Sequence, residues 1–341
     1  MRAGAWLLAA LAFGGCTQLQ GGGDAPRCES ALPLPKPEGA SGGAADLKTL
    51  AFALESVSSG LHESEESGFR YAYEASGFDL DMHCSDQGQD PGCVLPPWAG
   101  DADDGPGGRD YSANHLAAQT AELDPERVVE LELVPRPTTR YTGVLRITGF
   151  NGQHDDDEVT VAIHGATWSE SPPGEGERDG ERRWRPWAEA AGAKGGVVDQ
   201  DAYVTAGTLV ARFPEVLFGA PPIGPSPARQ VIVTGRLEET DDGFRLRETQ
   251  MAGRMGIAVL LEQLALTFQG GEVQCLASGE YEVARDVFCN RVDIRELDND
   301  ASKPCDALSF LSLLTWAPVE LGPPIAIPVA EAPECPVLRC E

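Results

Sequence analysis

"YTGVLRITGFNGQHDDDEVTVAIHGA", residues 141–166, is the stretch that decides the fold predicted for this chain. Apolar and polar residues alternate along residues 141–150 and again along residues 158–166, as they do in β-strands that are buried on one face. Between the two runs, Asn151-Gly152 is a dipeptide that favours the tight turn of a β-hairpin. The stretch therefore predicts two antiparallel strands.

Similar patterns predict more strands on both sides of this hairpin. They lie in residues 127–134, 202–213, 228–240 and 243–253, and Asp242-Gly243 favours a two-residue turn between the last two. Several strands separated by Gly, Pro and Asp-Gly breaks are typical of antiparallel β-sandwiches. The expected fold class is therefore mainly β, as an antiparallel, jelly-roll-like β-sandwich.

The apolar spacing changes after residue 256. Residues 257–268 and 278–292 carry apolar residues at helical spacing, with strong helix formers between them. Cysteines fall in the same part of the chain, which predicts a small α-helical C-terminal unit stapled to the sandwich by disulfides. The predicted domains are a signal peptide (1–15), a lipidated cysteine with a flexible tether (16–45), a β-sandwich domain with an Asp-rich loop (46–253), the helical Cys-containing unit (254–316) and a Pro-rich C-terminal tail (317–341).

The N-terminal segment "MRAGAWLLAALAFGGC" predicts export. One basic residue precedes an apolar run that is too short to span a bilayer, as in a secretory signal peptide. The pair Gly14-Gly15 directly before Cys16 resembles the lipobox of bacterial lipoproteins, which implies that Cys16 carries a lipid anchor. In those proteins the residue after the cysteine directs sorting, and Thr17 implies the outer membrane or cell surface. The alternative is an ordinary signal peptide with an incidental cysteine.

The net charge limits the partners that the chain can bind. The formal net charge is −28, with 54 acidic against 26 basic residues. Because nucleic acid and anionic lipid headgroups need clustered Lys and Arg, this balance argues against nucleic acid as a partner. A surface this acidic suits cations. The membrane is expected as a partner only through the lipid anchor, and a glycan or an envelope protein is the candidate ligand.

With Cys16 assigned to lipid, eight cysteines remain, and an even number in an exported chain predicts disulfides. Short spacing suggests that Cys84 pairs with Cys93 and that Cys289 pairs with Cys305. Zinc is the competing interpretation, but the chain has no C-x-x-C pair.

No catalytic motif stands out. G-x-S-x-G, S-x-x-K, H-E-x-x-H and both glycine-rich nucleotide motifs are absent. Paired carboxylates for glycoside hydrolysis remain open, since such pairs meet only in space. In the long insertion of residues 171–196, Trp184 and Trp187 could stack on a sugar or bind a protein partner, or they could cover the edge of the sandwich.

Acidic clusters are the strongest chemical signal. The first places Asp79 and Asp81 two residues apart. The second adds further oxygen donors: Asp101, Asp103, Asp104, Asp110 and Asn114. Carboxylate and amide oxygens are the ligands that Ca²⁺ prefers, although no EF-hand alignment fits. The sequence therefore predicts an irregular Asp-rich calcium site, and the alternative is a solvated acidic loop. A third cluster, residues 155–158, sits at the tip of the first hairpin, where solvation is the simpler explanation.

Three segments resemble uncharacterised lipoproteins that are common in myxobacteria: "RYTGVLRITGFNGQHDDDEVTVAI", "VTGRLEETDDGFRLRETQMAGR" and "CNRVDIRELDNDASKPCDALSF". This resemblance implies localisation and architecture but no activity. The expected function is therefore that of a cell-envelope lipoprotein with a non-catalytic binding or structural role, stabilised by calcium. The alternative is an envelope glycan hydrolase that uses paired carboxylates.

Overall fold

Strands dominate the part of the chain that the computed structural model describes, which comprises residues 30–39, 47–64, 68–83, 92–100, 104–123, 141–168, 183–186, 196–218, 226–269, 272–275, 278–324, 335–337 and 339–340. The strands are β1 (Lys48–Ser58), β2 (Leu61–Ser64), β3 (Gly68–Tyr71), β4 (Tyr141–Phe150), β5 (Asp156–Trp168), β6 (Arg183–Pro186), β7 (Gly196–Thr205), β8 (Thr208–Phe218), β9 (Ser226–Thr240), β10 (Gly243–Gly256), β11 (Leu266–Gln269), β12 (Glu272–Cys275), β13 (Ala307–Pro318) and β14 (Glu320–Leu321). The α-helices of these segments are α1 (Ser112–Leu123), α2 (Ile257–Leu264) and α3 (Ser278–Cys289), and a short 3-10 helix covers Ala72–Ala75.

Eight of the strands form a closed antiparallel β-barrel. They pair in the order β5, β4, β1, β13, β10, β9, β8 and β7, and β7 then pairs with β5. The closing contact extends from Asp156 opposite Val204 to His164 opposite Gly196. The predicted β-sandwich is therefore wrong. A sandwich consists of two sheets with open edges, whereas this sheet closes on itself; the alternation of inward and outward residues is the same in both folds.

The predicted hairpins are confirmed. β4 and β5 pair with each other, as do β9 and β10, across the turns signalled by Asn151-Gly152 and Asp242-Gly243. The predicted strand 202–213 is instead divided between β7 and β8. The turn between them uses Ala206 and Gly207, whose φ angles of 48° and 77° lie in the left-handed region that glycine tolerates best. Residues 127–134 lie outside the described segments.

The barrel interior is a single apolar core. Every barrel strand contributes to it, in the order of the chain Phe52, Ile147, Val161, Val204, Phe213, Val231, Met251 and Phe310. An eight-stranded barrel has an interior just wide enough to be filled by side chains, and this one is filled by aliphatic and aromatic residues.

A second layer covers the outer face of β10 and β13. Because Gly253 and Phe310 are opposite each other on the inner side, their neighbours Ala252 and Leu311 face outwards. These outward residues pack against apolar side chains of the covering segments, among them Phe78, Leu80, Tyr111 and Ile294. We call this region, formed by residues 77–83, 104–118 and 292–299 with the outer face of the two strands, the outer layer.

The C-terminal part of the chain is built into the barrel. Helices α2 and α3 confirm the two predicted helical segments, although both are shorter than their patterns. Between the predicted helical unit's bounds of 254 and 316, however, β13 is a strand that lies between β1 and β10. None of the described helices is long and apolar enough to cross a membrane.

Three disulfides join distant parts of the chain: Cys93–Cys305, Cys275–Cys335 and Cys289–Cys340. Disulfide bonding is therefore confirmed, but the expected pairs Cys84–Cys93 and Cys289–Cys305 are wrong. Bridging needs Cα atoms about 5–6 Å apart, and Cys93 and Cys305 meet this at 5.2 Å despite a sequence separation of 212. Tertiary structure, and not spacing along the chain, selects the partners. Cys16 and Cys84 lie outside the described segments.

Candidate metal centre

Three aspartates meet in the outer layer. Asp79, Asp81 and Asp110 each offer one carboxylate oxygen, and these atoms all lie within 4.8 Å of one another. Only 2%, 4% and 1% of the three residues is exposed, respectively. A cluster of three buried carboxylates at this spacing could hold a metal ion.

The backbone around Asp79 and Asp81 forms a tight local turn. The Asp79 N–H donates to the carbonyl oxygen of Ala31 at 3.0 Å. Oδ1 of Asp81 accepts the N–H of His83 at 2.8 Å, and Met82 between them has a φ of 64°. Residues other than glycine and asparagine seldom adopt this conformation, so the surrounding contacts must stabilise the turn that presents the two carboxylates.

Asp110 ties the two Asp-bearing segments together. Its Oδ2 accepts the backbone N–H of Leu80 at 2.6 Å and that of Asp81 at 3.3 Å. Its own N–H donates to the carbonyl oxygen of Phe78 at 3.0 Å. These bonds explain how residues some thirty positions apart come to share one site.

Several oxygens of the cluster lack a hydrogen-bond donor. Among the described residues, no donor has full hydrogen-bond geometry to either carboxylate oxygen of Asp79, although the Ser30 hydroxyl and the N–H groups of Met82 and His83 lie close by, and Oδ1 of Asp110 has no partner. Buried carboxylate oxygens are normally hydrogen-bonded, because burial without a partner destabilises the charged form. Unpartnered oxygens that face two other carboxylates are the arrangement that a bound cation would satisfy.

Burial shifts the pKa values of all three groups upwards. It raises the pKa of Asp79, although the nearby Ser30 hydroxyl counteracts part of the shift. It raises the pKa of Asp81 to about 6, with a further contribution from the charge of Asp79. For Asp110 burial raises the pKa well above its usual range, and the charge of Asp81 adds to the effect. Without a cation, the cluster is therefore electrostatically unfavourable in its charged form.

Arg254 lies beneath the cluster and is fully buried. Its guanidinium donates to four neutral oxygens, the carbonyls of Leu80, Arg295 and Asp298 and the side-chain oxygen of Asn299. Burial lowers the pKa of Arg254, and the charges of Asp110 and Asp81 oppose that shift. Arg254 therefore fixes the backbone of the outer layer and offsets only part of the negative charge.

Asp293 is a fourth buried carboxylate nearby. Both of its oxygens accept hydrogen bonds, Oδ1 from the Ser309 N–H at 2.9 Å and Oδ2 from the Ser309 hydroxyl. Burial raises its pKa to about 6. Because its oxygens are already used, Asp293 contributes charge to the cluster and is not grouped with the three candidate ligands.

Gly92 packs directly against the site. A Cβ atom at this position would lie 2.0 Å from Oδ2 of Asp81, so only glycine fits. The next residue is Cys93, which is anchored to Cys305. The disulfide therefore holds a backbone segment over one of the three carboxylates.

The other predicted ligands have different positions. Asp104 is half-buried. Burial is the main cause of the raised pKa values of Asp110 and Asp293, and the charge of Asp104 adds to it. The Asn114 amide donates to the carbonyls of Ser59 and Leu311 and accepts the Leu311 N–H. It joins α1 to β13 and lies outside the group of three. Asp101 and Asp103 are outside the described segments.

Two carboxylates of the third acidic cluster accept backbone hydrogen bonds and have a structural role. Oδ2 of Asp156 accepts the N–H of Asn151 at 2.6 Å, and Oδ1 of Asp155 accepts the N–H of Ala206 at 2.8 Å. These carboxylates stabilise the hairpin turn and its neighbour. Of the two candidate binding tryptophans, Trp184 lies in β6, which pairs with β5, and Trp187 lies outside the described segments.

Sequence reasoning found Asp79, Asp81 and Asp110 but missed Arg254 and Asp293. A signal exists for Arg254, which is a single charge within the otherwise apolar stretch "MAGRMG", whereas Asp293 lies among other charged residues in "RVDIRE". A lone charge at a position that the strand pattern buries calls for a buried partner.

Comparison with known proteins adds no assignment: no protein-family model, curated protein or solved structure matches the chain.

Proposed function

We propose that this protein is an exported, lipid-anchored protein of the cell envelope whose barrel has a non-catalytic role and is stabilised by a calcium ion held by Asp79, Asp81 and Asp110. The observation that carries the calcium part is the pair of buried Asp79 oxygens, which accept no hydrogen bond of full geometry and lie close to two further carboxylates. The localisation rests on the signal-like N-terminus with Cys16, and the disulfides fit an oxidising compartment.

Calcium suits this donor set better than zinc or magnesium. All three candidate ligands are carboxylates, and Ca²⁺ binds six to eight oxygens in flexible geometry. Zinc favours sulfur and nitrogen, whereas the six described cysteines are all in disulfides. Magnesium usually keeps several waters, and a cluster with 1–4% exposure leaves little room for them.

The burial of the three aspartates weighs against the hydrolase alternative at this position. A glycosidase needs two carboxyl groups on either side of a sugar, with a cleft that admits the substrate. Here the carboxylate oxygens lie within 4.8 Å of one another and are covered by the outer layer. A glycan could not enter between them, so a structural ion is the simpler role.

Calcium titration tests the cation site. In buffer with physiological salt, calcium at about a hundredfold excess over its dissociation constant should stabilise the fold by about 3 kcal/mol. For a domain of this size we expect the melting temperature to rise by about 5 °C relative to EDTA. Asp79→Asn should abolish this rise.

The control is Asp241→Asn, which removes one charge at the exposed tip of the β9–β10 hairpin. It should leave the calcium effect intact, which separates the site from general screening of an acidic surface. Equal melting temperatures in calcium and EDTA for the wild-type protein would rule the site out.

The lipid anchor has its own test. Cys16→Ala should abolish incorporation of a labelled fatty acid and move the protein from the membrane fraction to the soluble or unprocessed fraction. Cys84→Ala serves as a control that removes a different cysteine. Unchanged labelling of the Cys16 variant would show that Cys16 is not the lipidated residue.

A further inference from the structure

The N-terminal segment of residues 30–39, which we call the strap, connects the two Asp-bearing segments. The Ala31 N–H donates to the carbonyl of Gly107 at 2.9 Å, and the Ala31 carbonyl accepts the Asp79 N–H at 3.0 Å. Ala31 therefore lies between the segment that carries Asp79 and the segment that carries Asp110. Next to it, the Ser30 hydroxyl is close enough to the Asp79 carboxylate to counteract part of its pKa shift.

The middle of the strap is held by one side chain of the barrel. The Tyr203 hydroxyl donates to the carbonyl of Leu34 at 2.6 Å, and it accepts a hydrogen bond from Arg212 at 3.3 Å. Tyr203 lies in β7 and does not belong to the cluster of aspartates.

Packing holds the strap mainly at Pro33, which is buried. Leu32 and Leu34 are 53% and 48% exposed. A cavity of about 220 Å³ separates strap residues from Thr208, Thr234 and Gln250 on the outer face of the barrel. The strap is therefore held by one buried side chain and by a few hydrogen bonds at Ala31 and Leu34, so its docking free energy is small and is sensitive to the geometry of the cluster.

We infer that cation binding at the cluster and docking of the strap are coupled, so that the ion locks residues 30–39 onto the barrel and the docked strap strengthens ion binding. This inference rests on the proposed cation site.

The coupling follows from the position of Ala31. The ligand oxygens of Asp79 and Asp110 lie within 4.8 Å of each other. In their charged forms and without an ion they repel each other, which opposes the hydrogen bonds that join the two segments and favours a wider separation. Both hydrogen bonds of Ala31 depend on that separation. An ion draws the carboxylates together and restores the spacing that Ala31 bridges. By thermodynamic linkage, the factor by which the ion favours docking of the strap equals the factor by which docking raises the affinity for the ion.

The coupling also has a consequence for the proposed anchor. Because the strap follows the segment that contains Cys16, its docking state would set how much chain separates the barrel from the lipid.

Hydrogen exchange measured by mass spectrometry tests the first half of the coupling. In the full-length protein, calcium should slow exchange in peptides that cover residues 30–39 by about tenfold or more relative to EDTA, because ordered hydrogen bonds protect their amides. Peptides from the centre of β9 should exchange equally in both conditions. In Asp79→Asn, calcium should have no effect on the strap.

Calorimetric titration with calcium tests the second half. Tyr203→Phe removes the hydrogen bond at Leu34 without changing any of the three aspartates, and should weaken calcium binding roughly fivefold, the effect of one hydrogen bond. The matched control is Tyr281→Phe. Tyr281 is also buried, and its hydroxyl donates to the carbonyl of Leu261 at 2.9 Å, away from the strap. Its loss should leave the affinity unchanged.

The outcomes separate the two proposals. If calcium binds but strap exchange and the Tyr203→Phe affinity do not change, the coupling is wrong and the cation site stands. If the wild-type protein binds no calcium, both fail. Slower strap exchange together with a selective loss of affinity in Tyr203→Phe supports the coupling.

Discussion

The barrel interior and the outer layer are both buried, yet the interior consists of apolar side chains and the outer layer contains several charged ones. The interior is a continuous set of aliphatic and aromatic side chains from eight strands. The outer layer, on the other side of β10 and β13, buries Asp79, Asp81, Asp110, Asp293 and Arg254 among a smaller apolar cluster. The two regions share the same strands, because alternate residues of β10 face one or the other.

The difference shows how each region is stabilised. Apolar burial is non-directional and depends on area and packing, so the interior is insensitive to ions and pH. Buried charges stabilise a fold only when partners satisfy them, and the carboxylates here outnumber the guanidinium. The interior therefore provides most of the stability, whereas the outer layer makes the protein responsive to its environment.

Replacing Arg254 should cause the largest change in the free energy of unfolding. Arg254→Met keeps much of the volume but removes donors to four oxygens and the positive charge under the aspartates. Leaving buried charges and acceptors without a partner should lower the free energy of unfolding by about 3–5 kcal/mol. Urea denaturation measures this.

Arg247→Met is the matched control. Arg247 is half exposed and its nearest carboxylate, Glu238, lies 3.9 Å away. Removing an exposed ion pair should change stability by less than about 0.5 kcal/mol. If Arg254→Met were as mild as Arg247→Met, the outer layer would not depend on charge compensation.

His164 offers a second, smaller test, because it is a buried polar group outside the outer layer. It is 5% exposed on β5, opposite Val144, and its Nε2 has no hydrogen-bond partner among the described residues. Burial lowers its pKa from 6.5 to about 4, with a further contribution from Arg146. The unfolded chain therefore takes up the proton first as the pH falls.

His164 therefore makes the fold less stable as the pH falls. Above pH 6.5 the imidazole is neutral in both states and has no effect on stability; between pH 6.5 and pH 4 it progressively destabilises the fold, by about 2 kcal/mol at pH 5. The raised pKa values of Asp81 and Asp293 act in the opposite direction over a similar range. The measurement is therefore the difference between wild type and His164→Gln in urea denaturation at pH 7.5 and pH 5.

The variant should gain about 2 kcal/mol relative to wild type on this acidification. His154→Gln, at an exposed position, should gain nothing. A parallel pH response of wild type and His164→Gln would contradict the assignment.

The smallest effect is expected in the interior. Ile147→Val removes one buried methylene group from the barrel core and should destabilise by about 1 kcal/mol. Because Ile147 belongs to the interior and not to the proposed cation site, this loss should be the same in calcium and in EDTA when each is measured by urea denaturation. A loss that differed between the two conditions would mean that the two buried regions are not independent.

The fold was predictable from the sequence as far as local pairing goes. The hairpins β4–β5 and β9–β10 follow from alternation and turn dipeptides, which act over neighbouring residues. Closure of the barrel depends on the pairing of β5 with β7 and of β1 with β13, and alternation does not distinguish it from a sandwich. The predicted disulfide pairs were wrong for the same reason, since Cys93 and Cys305 are separated by 212 positions and meet only through tertiary structure.

The sequence was sufficient to predict the three aspartates of the site, but not the other charged residues that surround them. Asp79 and Asp81 share a turn, and Asp110 belongs to the next acidic segment, so composition alone draws attention to them. Arg254 and Asp293 are distant from these acids along the chain, and Asp293 lies among other charged residues. Their relation to the cluster exists only because β10 and β13 are neighbours in the sheet.

The position of β13 also sets the order in which the molecule can be completed. β1 is the first strand of the barrel, and it pairs with β4 on one side and with β13 on the other, Phe52 with Pro318. During synthesis, therefore, the first strand must wait for one of the last before its second edge is filled. Contacts this distant along the chain make folding slow. The barrel can close only after translation has passed β13, so every earlier strand is synthesised before the sheet can close.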